Sequence, residues 1–145
     1  MTTDPVEALA ERLAQQGFGT YRTAQVYVEP ERGIVFDFQP AVPSRVLVLT
    51  TYAGPEADSL LPYDTPRVQI MSRDDNPAAS RQLLKSIYND LHGLGPITIS
   101  EVRFILVIAI GSGPTYVGRD DNKRHLHALS VELTVHNPNR RGLPA

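Results

Sequence analysis

Two histidines near the end of the chain have a spacing suited to metal chemistry. His125 and His127 are two positions apart in a β-like segment, so both side chains point to the same face of the strand. A pair of this kind can supply two ligands to zinc. However, the pair continues the face that carries Leu129 and Val131, and that face bears no carboxylate. A partly buried or interface pair therefore explains the histidines better than a metal site.

Two acidic pairs offer a possible carboxylate site for a divalent cation. Asp74 and Asp75, like Asp120 and Asp121, stand between an arginine and an asparagine. Such sequences are typical of Asx turns and helix caps, in which a short side chain accepts hydrogen bonds from the backbone. Neither pair has the ligand pattern of a calcium-binding loop. We therefore expect turns at both places and no metal ion.

A glycine-rich segment at residues 111–114, Gly-Ser-Gly-Pro, follows an apolar segment and suggests a phosphate-binding loop. That motif would need Gly-Lys-Ser/Thr at the start of a helix, whereas residues 115–117 are β-like. No Gly-x-Ser-x-Gly sequence is present for a nucleophilic serine. The segment is thus predicted to be a turn, and the sequence indicates no catalytic residue and no cofactor.

Composition restricts the class of protein further. The chain has 145 residues, no cysteine, and 14 Lys+Arg against 16 Asp+Glu, which predicts one domain of nearly neutral charge. Disulfides, thiolate metal sites and cysteine nucleophiles are excluded. The charge balance argues against a dedicated nucleic-acid-binding protein. The longest apolar run, residues 104–110, is far shorter than the roughly 20 residues of a membrane span, so we expect a cytosolic protein.

Capping residues predict two helices. Asp4 followed by Pro5 marks the start of the first helix, and Gly17 marks its end. Asn76 followed by Pro77 begins the second helix, which ends at residues 92–93, His-Gly. In both segments apolar residues recur at spacings of three and four, so each helix has one apolar face.

Most of the remaining chain has strand character. Residues 25–28 and 34–38 flank a turn-forming sequence and predict a β-hairpin. Regular alternation near the end of the chain predicts a half-buried strand, preceded by a hairpin turn at residues 119–122. The predicted strands are residues 25–28, 34–38, 45–52, 66–73, 97–99, 102–110 and the segment that ends near His136.

These elements predict an α+β fold, with a mostly antiparallel sheet and two α-helices packed on one face. Residues 1–136 are expected to form a single domain, and residues 137–145 a mobile C-terminal tail, because the tail has no hydrophobic period.

The strand at residues 102–110 is too apolar to alternate, which indicates that both of its faces are covered. Either it is a central strand of an ordinary core, or another subunit covers it. In the second case Phe104, Leu106, Ile108 and Ile110 are candidate subunit-interface residues. In either case we expect replacement of Leu106 or Ile108 by Asp to prevent folding.

Two segments are distinctive: Leu61–Arg73, with Pro-Arg-Val-Gln-Ile, and residues 84–94, with Ile-Tyr-Asn-Asp-Leu-His-Gly. They resemble the minor capsid or tail-terminator-like proteins of long-tailed bacteriophages. Residues 118–124, Gly-Arg-Asp-Asp-Asn-Lys-Arg, and 130–135 fit the same pattern. The resemblance covers the chain from about Val6 to His136.

The resemblance implies a structural virion protein without enzymatic activity or cofactors. Such a tail terminator forms a homo-hexameric ring that caps the tail tube and joins it to a head connector or stopper protein. DNA would pass through the ring without specific binding, and no membrane would be involved. The protein would be located in the virion tail or neck after assembly in the cytoplasm of the bacterial host.

A long acidic loop, residues 54–64, is the candidate contact with a partner ring. Its proposed contact residues are Glu56, Asp58, Leu60, Tyr63 and Asp64. Two other functions remain open. One is a different neck protein, either a head-closure or a head–tail adaptor protein. The other is a small metal-dependent or hydrolytic enzyme built on the histidine pair and the paired aspartates.

Overall fold

The structure, a computed structural model, describes residues 2–139. The described chain contains two helices and seven strands in a single sheet. The helices are α1 (Pro5–Gln15) and α2 (Pro77–Leu91), and the strands are β1 (Arg32–Phe36), β2 (Arg45–Tyr52), β3 (Tyr63–Asp64), β4 (Arg67–Asp74), β5 (Ile97–Ile99), β6 (Val102–Arg119) and β7 (His125–His136).

Both helices begin where their capping residues predict. The Asp4 side chain accepts a hydrogen bond from the backbone N–H of Val6, and the Asn76 side chain accepts bonds from the first turn of α2. A proline occupies the first turn of each helix, where a missing N–H costs nothing. The local sequence therefore accounts for where α1 and α2 start.

The strand order is β1-β2-β4-β7-β6-β5, and the short β3 extends the sheet along β7. The chain is mostly β, with 42% strand and 19% helix, and the sheet curls into a mixed half-barrel. The predicted α+β class with a mostly antiparallel sheet is therefore wrong. Two elements explain the difference: β1 pairs with β2 in parallel, and β6 is much longer than predicted.

The predicted hairpin of residues 25–28 with residues 34–38 does not form. β1 instead pairs in parallel with β2, which follows it after the connection at residues 37–44. Residues 25–28 contribute Tyr27, whose ring packs over β1 and is 5% exposed. The Tyr27 hydroxyl donates a hydrogen bond to the carbonyl oxygen of Ile34 at 2.7 Å. Tyr27 therefore covers the sheet without pairing in it, whereas Val26 and Val28 on either side are exposed.

The glycine-rich segment at residues 111–114 is a bulge within β6 and not a turn. β6 runs for 18 residues, and its register with β7 shifts between Ile110 and Thr115. Gly111 and Gly113 have φ angles of +85° and +140°, which other residues rarely adopt. The chain turns only at residues 120–124, as the hairpin signal predicts.

The main core lies between the inner face of the sheet and the two helices. α1 contributes Leu9 and Leu13, α2 contributes Leu84 and Ile87, and all four are almost fully buried. The odd-numbered apolar residues of β7 face them, as the alternation predicts: Leu129, Val131, Leu133 and Val135. A second, smaller cluster lies on the outer face of β1 and β2: Tyr27, Val35, Val46 and Val48.

The domain limits predicted at residue 136 stay a prediction. Asn137 follows β7 directly and donates hydrogen bonds to the Pro62 carbonyl and to Asp64. Residues 140–145, most of the predicted mobile tail, lie outside the described residues.

Candidate assembly interface

The register of four strands defines an outer sheet face that neither α1 nor α2 covers. Ile108 of β6 is paired with Glu132 of β7, Glu132 with Arg67 of β4, and Arg67 with Tyr52 of β2. Residues paired in this way project from the same face of a sheet. We call the following set the open face: Thr50, Tyr52, Arg67, Gln69, Leu106, Ile108, Ile110, Ser130, Glu132 and Thr134.

The β6 side of the open face is apolar and solvent-exposed. Ile108 and Ile110 are 43% and 40% exposed, and Leu106 is half-buried. Of the two alternatives for residues 102–110, the central strand of an ordinary core is therefore wrong, because Ile108 and Ile110 on its outer face are exposed. A β-bulge between Phe104 and Leu106 shifts the phase of the strand, which explains why the sequence does not alternate.

Phe104 differs from the other three candidate interface residues. It is 1% exposed and packs in the main core with Val107 and Ala109. Since a side chain enclosed by its own chain presents no surface to a partner, Phe104 is absent from the open face. Leu106, Ile108 and Ile110 remain as candidates.

An ion pair lies at the centre of the open face. Arg67 Nη2 is 3.4 Å from Glu132 Oε2, and both side chains are about one-third exposed, at 36% and 29%. The Nε atom of Arg67 is buried without a hydrogen-bond partner in the described residues. A half-exposed pair of this kind contributes little stability by itself. It does place a polar patch beside the apolar residues of β6.

At the opposite end of the strands, the outer face is covered by the connection at residues 37–44, which the buried Arg73 holds in place. Arg73 is 1% exposed and donates hydrogen bonds to the carbonyl oxygens of Pro40, Pro43 and Ser44, which fasten the connection at residues 37–44 over the sheet. Burial lowers the pKa of the Arg73 guanidinium, and the nearby Arg124 lowers it further. In the described residues the outer face is therefore open only at the end of the sheet where β2 ends, in the rows that contain Tyr52 and Thr50.

The acidic loop leaves the sheet at this open end. Glu56, Asp58 and Leu60 are exposed, and Leu60 is the most exposed of the large apolar residues, at 80%. Tyr63 and Asp64 do not belong to the irregular loop, because they form β3 and pair with His136 and Val135 of β7. Of the five predicted contact residues, three therefore lie in the exposed loop and two lie in a strand of the sheet.

The histidine pair lies on the inner face, as predicted from its parity. His127 is 3% exposed, and its Nδ1 atom is 2.9 Å from the Oγ atom of Ser80. His125 is half-buried, with its Nδ1 atom 3.1 Å from the Tyr116 hydroxyl. Among residues 2–139 no group of three or more His, Asp or Glu side chains could hold a metal ion.

One aspartate of each acidic pair accepts backbone hydrogen bonds in a turn, as predicted. Asp74 accepts a hydrogen bond from the backbone N–H of Asn76, and Asp120 accepts bonds from the N–H groups of Asn122 and Arg124. The Asp120 carboxylate also accepts a hydrogen bond from Arg124 Nε, at 2.8 Å. Hydrogen bonds from the Arg124 and Asn122 backbone and the Arg124 guanidinium outweigh partial burial and lower the pKa of Asp120.

Neither helix in the part of the chain that the structure describes has the length and apolar character needed to cross a membrane. The exposed Ile108 and Ile110 of β6 suit a contact with another protein. Comparison with known protein families agrees with that interpretation. Residues 12–137 match the sequence model of a family described as bacteriophage tail terminator protein.

The chain belongs to the bacteriophage tail terminator family. The match covers the last turn of α1, the whole of α2 and every strand. No curated protein matches the chain. The resemblance inferred from residues 61–73 and 84–94 is therefore confirmed.

Membership of the tail terminator family makes this a structural protein of a phage tail and a component of the virion. It also implies contacts with other tail or head proteins. The open face was not evident from sequence, because recognising it requires the pairing of β6 with β7 and β4. The apolar run at residues 104–110 was the one signal that pointed to it.

Proposed function

We propose that this tail terminator forms a homo-hexameric ring that caps the tail tube and joins it to the head connector. The observation that carries the proposal is the apolar row of β6, with Ile108 and Ile110 exposed and Leu106 half-buried, on a sheet face that neither helix of the described residues covers. Exposed apolar residues that lie together are typical of protein–protein interfaces. The family assignment supports a partner within the tail.

A ring requires a heterologous contact, in which one surface of each subunit packs against a different surface of the next. The β6 side of the open face would be one of these surfaces. The Arg67–Glu132 pair beside it gives the interface a polar part that can select register. In this arrangement DNA passes through the ring without specific contacts, and assembly takes place in the cytoplasm of the bacterial host.

The proposal is tested by comparing the mass of the assembled wild-type protein with that of Ile108→Asp. Light scattering after size-exclusion chromatography, with and without purified tail tube protein, should give a hexameric mass for the wild type. Electron microscopy should show rings at the ends of tubes. Ile108→Asp should remain a folded monomer and leave tubes uncapped, because it places a carboxylate in the proposed apolar contact.

Val26→Asp is the matched control, because Val26 is 69% exposed and lies outside the open face. This variant should assemble as the wild type does. Rings formed equally well by Ile108→Asp would contradict the proposed interface. A wild-type protein that never caps tubes, even with the tube protein present, would contradict the terminator role and leave a head-closure or adaptor role as the alternative.

A further inference from the structure

The glycine-rich bulge of β6 forms one wall of a basic cleft. The opposite wall is the exposed side of α2, with Arg81, Gln82 and Lys85. The cleft has a volume of about 520 Å³. Lys85 Nζ lies 4.0 Å from the position that a Cβ atom would take on Gly113. The glycine-rich segment has no lysine next to it in the sequence, but the fold places Lys85 beside it.

The charges of this cleft have no carboxylate partner within residues 2–139. Neither Arg81 nor Lys85 takes part in an ion pair, although Lys85 Nζ lies 4.7 Å from the centre of the Tyr88 ring. The two side chains are four residues apart on α2, so they project from the same side of the helix. Both are exposed. The cleft therefore presents two adjacent positive charges to a ligand.

An apolar residue of the open face also lines the cleft. Ile110 is 40% exposed and lies beside the bulge, next to the two cationic side chains. A ligand that fills this site must offer carboxylates or phosphates together with an aliphatic group. A nucleic-acid backbone supplies the charge but not the aliphatic group, so the composition of the cleft favours a protein segment.

The acidic loop of the same chain has that complementary composition. Glu56 and Asp58 are exposed and form no ion pair in the described residues, and Leu60 beside them is 80% exposed. The loop starts at the end of β2, whereas the cleft borders β6. These strands are separated by β4 and β7, which corresponds to about 14 Å across the sheet. No loop residue lines the cleft of its own chain.

We propose that the acidic loop of one copy docks in the basic cleft of the next copy. Glu56 and Asp58 pair with Arg81 and Lys85, and Leu60 covers Ile110. The inference rests on the proposed ring and identifies the segment that covers its exposed β6 side. Because loop and cleft are different surfaces, the contact is heterologous and can repeat around a closed ring. It replaces the expectation that the loop reaches a partner ring.

Disulfide formation between two single-cysteine chains tests the contact, since the chain has no cysteine of its own. Glu56→Cys protein is mixed with Lys85→Cys protein under mild oxidation. A docked interface raises the effective concentration of the pair, so the mixed disulfide should form at least about tenfold more than with Arg103→Cys protein. Arg103 is exposed on β6 but lies outside the cleft. Equal yields with both partners would overturn the proposal.

Charge reversal provides the second measurement. The double variants Arg81→Glu/Lys85→Glu and Glu56→Lys/Asp58→Lys should each lose ring formation, and an equimolar mixture of the two should regain it, because every contact in an alternating ring is again complementary. Arg103→Glu/Lys123→Glu carries the same charge change elsewhere and should assemble normally. A mixture that does not recover would overturn the inference.

The outcomes separate this inference from the proposed function. Wild-type rings without a selective Glu56→Cys/Lys85→Cys disulfide would leave the terminator ring intact and show that the loop contacts something else. A third outcome is that the selective disulfide is absent, that the wild type binds duplex DNA, and that Arg81→Glu/Lys85→Glu does not bind it. That result would show that the cleft binds phosphate groups and not the loop. Absence of rings in the wild type would instead contradict the proposed function.

Discussion

The Nδ1 atom of His127 lies 2.9 Å from the Oγ atom of Ser80, and this buried contact connects β7 to α2. Ser80 in turn contacts Ser72 of β4, with its Oγ 3.1 Å from the Ser72 Oγ. Burial lowers the pKa of His127, and the nearby charges of Arg81 and His125 lower it further. The imidazole is therefore neutral in the folded protein at neutral pH.

Acid should weaken the fold through His127. Below its usual pKa of 6.5 the unfolded chain binds a proton that the folded chain does not, so stability falls as the pH decreases from 6.5 to the lowered folded-state pKa. The slope for one proton is at most about 1.4 kcal/mol per pH unit. Urea unfolding from pH 7.5 to 5 measures it. His127→Gln should reduce this slope, whereas the exposed His136→Gln should not; equal slopes would contradict the assignment.

Ile108 and Val107 are neighbours in β6, but replacement by Asp should destabilise the protein far less at Ile108 than at Val107. Ile108→Asp should cost up to about 1 kcal/mol, because the new carboxylate lies opposite Glu132 on an open surface. Val107→Asp buries a charge at a position that is 1% exposed and should prevent folding. Circular dichroism and thermal unfolding distinguish the two. The structure therefore revises the sequence-based expectation that Ile108→Asp prevents folding.

Arg73→Met should lower the free energy of unfolding by about 2–4 kcal/mol, because three carbonyl oxygens lose their donor and the methionine cannot replace it. Arg119→Met, at an exposed position near the same end of the sheet, should change it by less than about 0.5 kcal/mol. Chemical unfolding of the variants measures both values. Similar losses would show that Arg73 does not hold residues 37–44.

Gly33→Ala should destabilise the protein through Tyr27. A Cβ atom on Gly33 would lie 2.5 Å from Tyr27 Cδ2, so the ring would have to move, at a cost of about 1–3 kcal/mol. In a Tyr27→Ala background the same change should cost much less. A double-mutant cycle measures the coupling, and additive effects would contradict the contact.

Local signals in the sequence were sufficient for some elements. Asp4 and Asn76 give the helix starts because a cap acts through the nearest backbone N–H groups. The strict alternation of β7 predicts its buried face for a similar reason, since strand parity is a local property. The turn at residues 120–124 likewise depends on its own Asp120.

The remaining elements depend on residues far away in the chain. The parallel pairing of β1 with β2 could not be read from residues 25–38, because nothing local distinguishes a strand from a segment that covers one. The bulges of β6 shift its parity at Phe104 and again at Ile110, and these shifts are set by the pairing with β7. The basic cleft was missed because Lys85 and Gly113 are brought together only when α2 packs beside β6.

The position of β7 has a consequence for synthesis of the protein. β7 pairs with β3, β4 and β6, yet it is the last strand in the described chain. A nascent chain therefore holds β4 and β6 without their common partner until residues 125–136 leave the ribosome. An incomplete chain lacks the register that creates the open face, so prematurely terminated translation products should not enter an assembling tail.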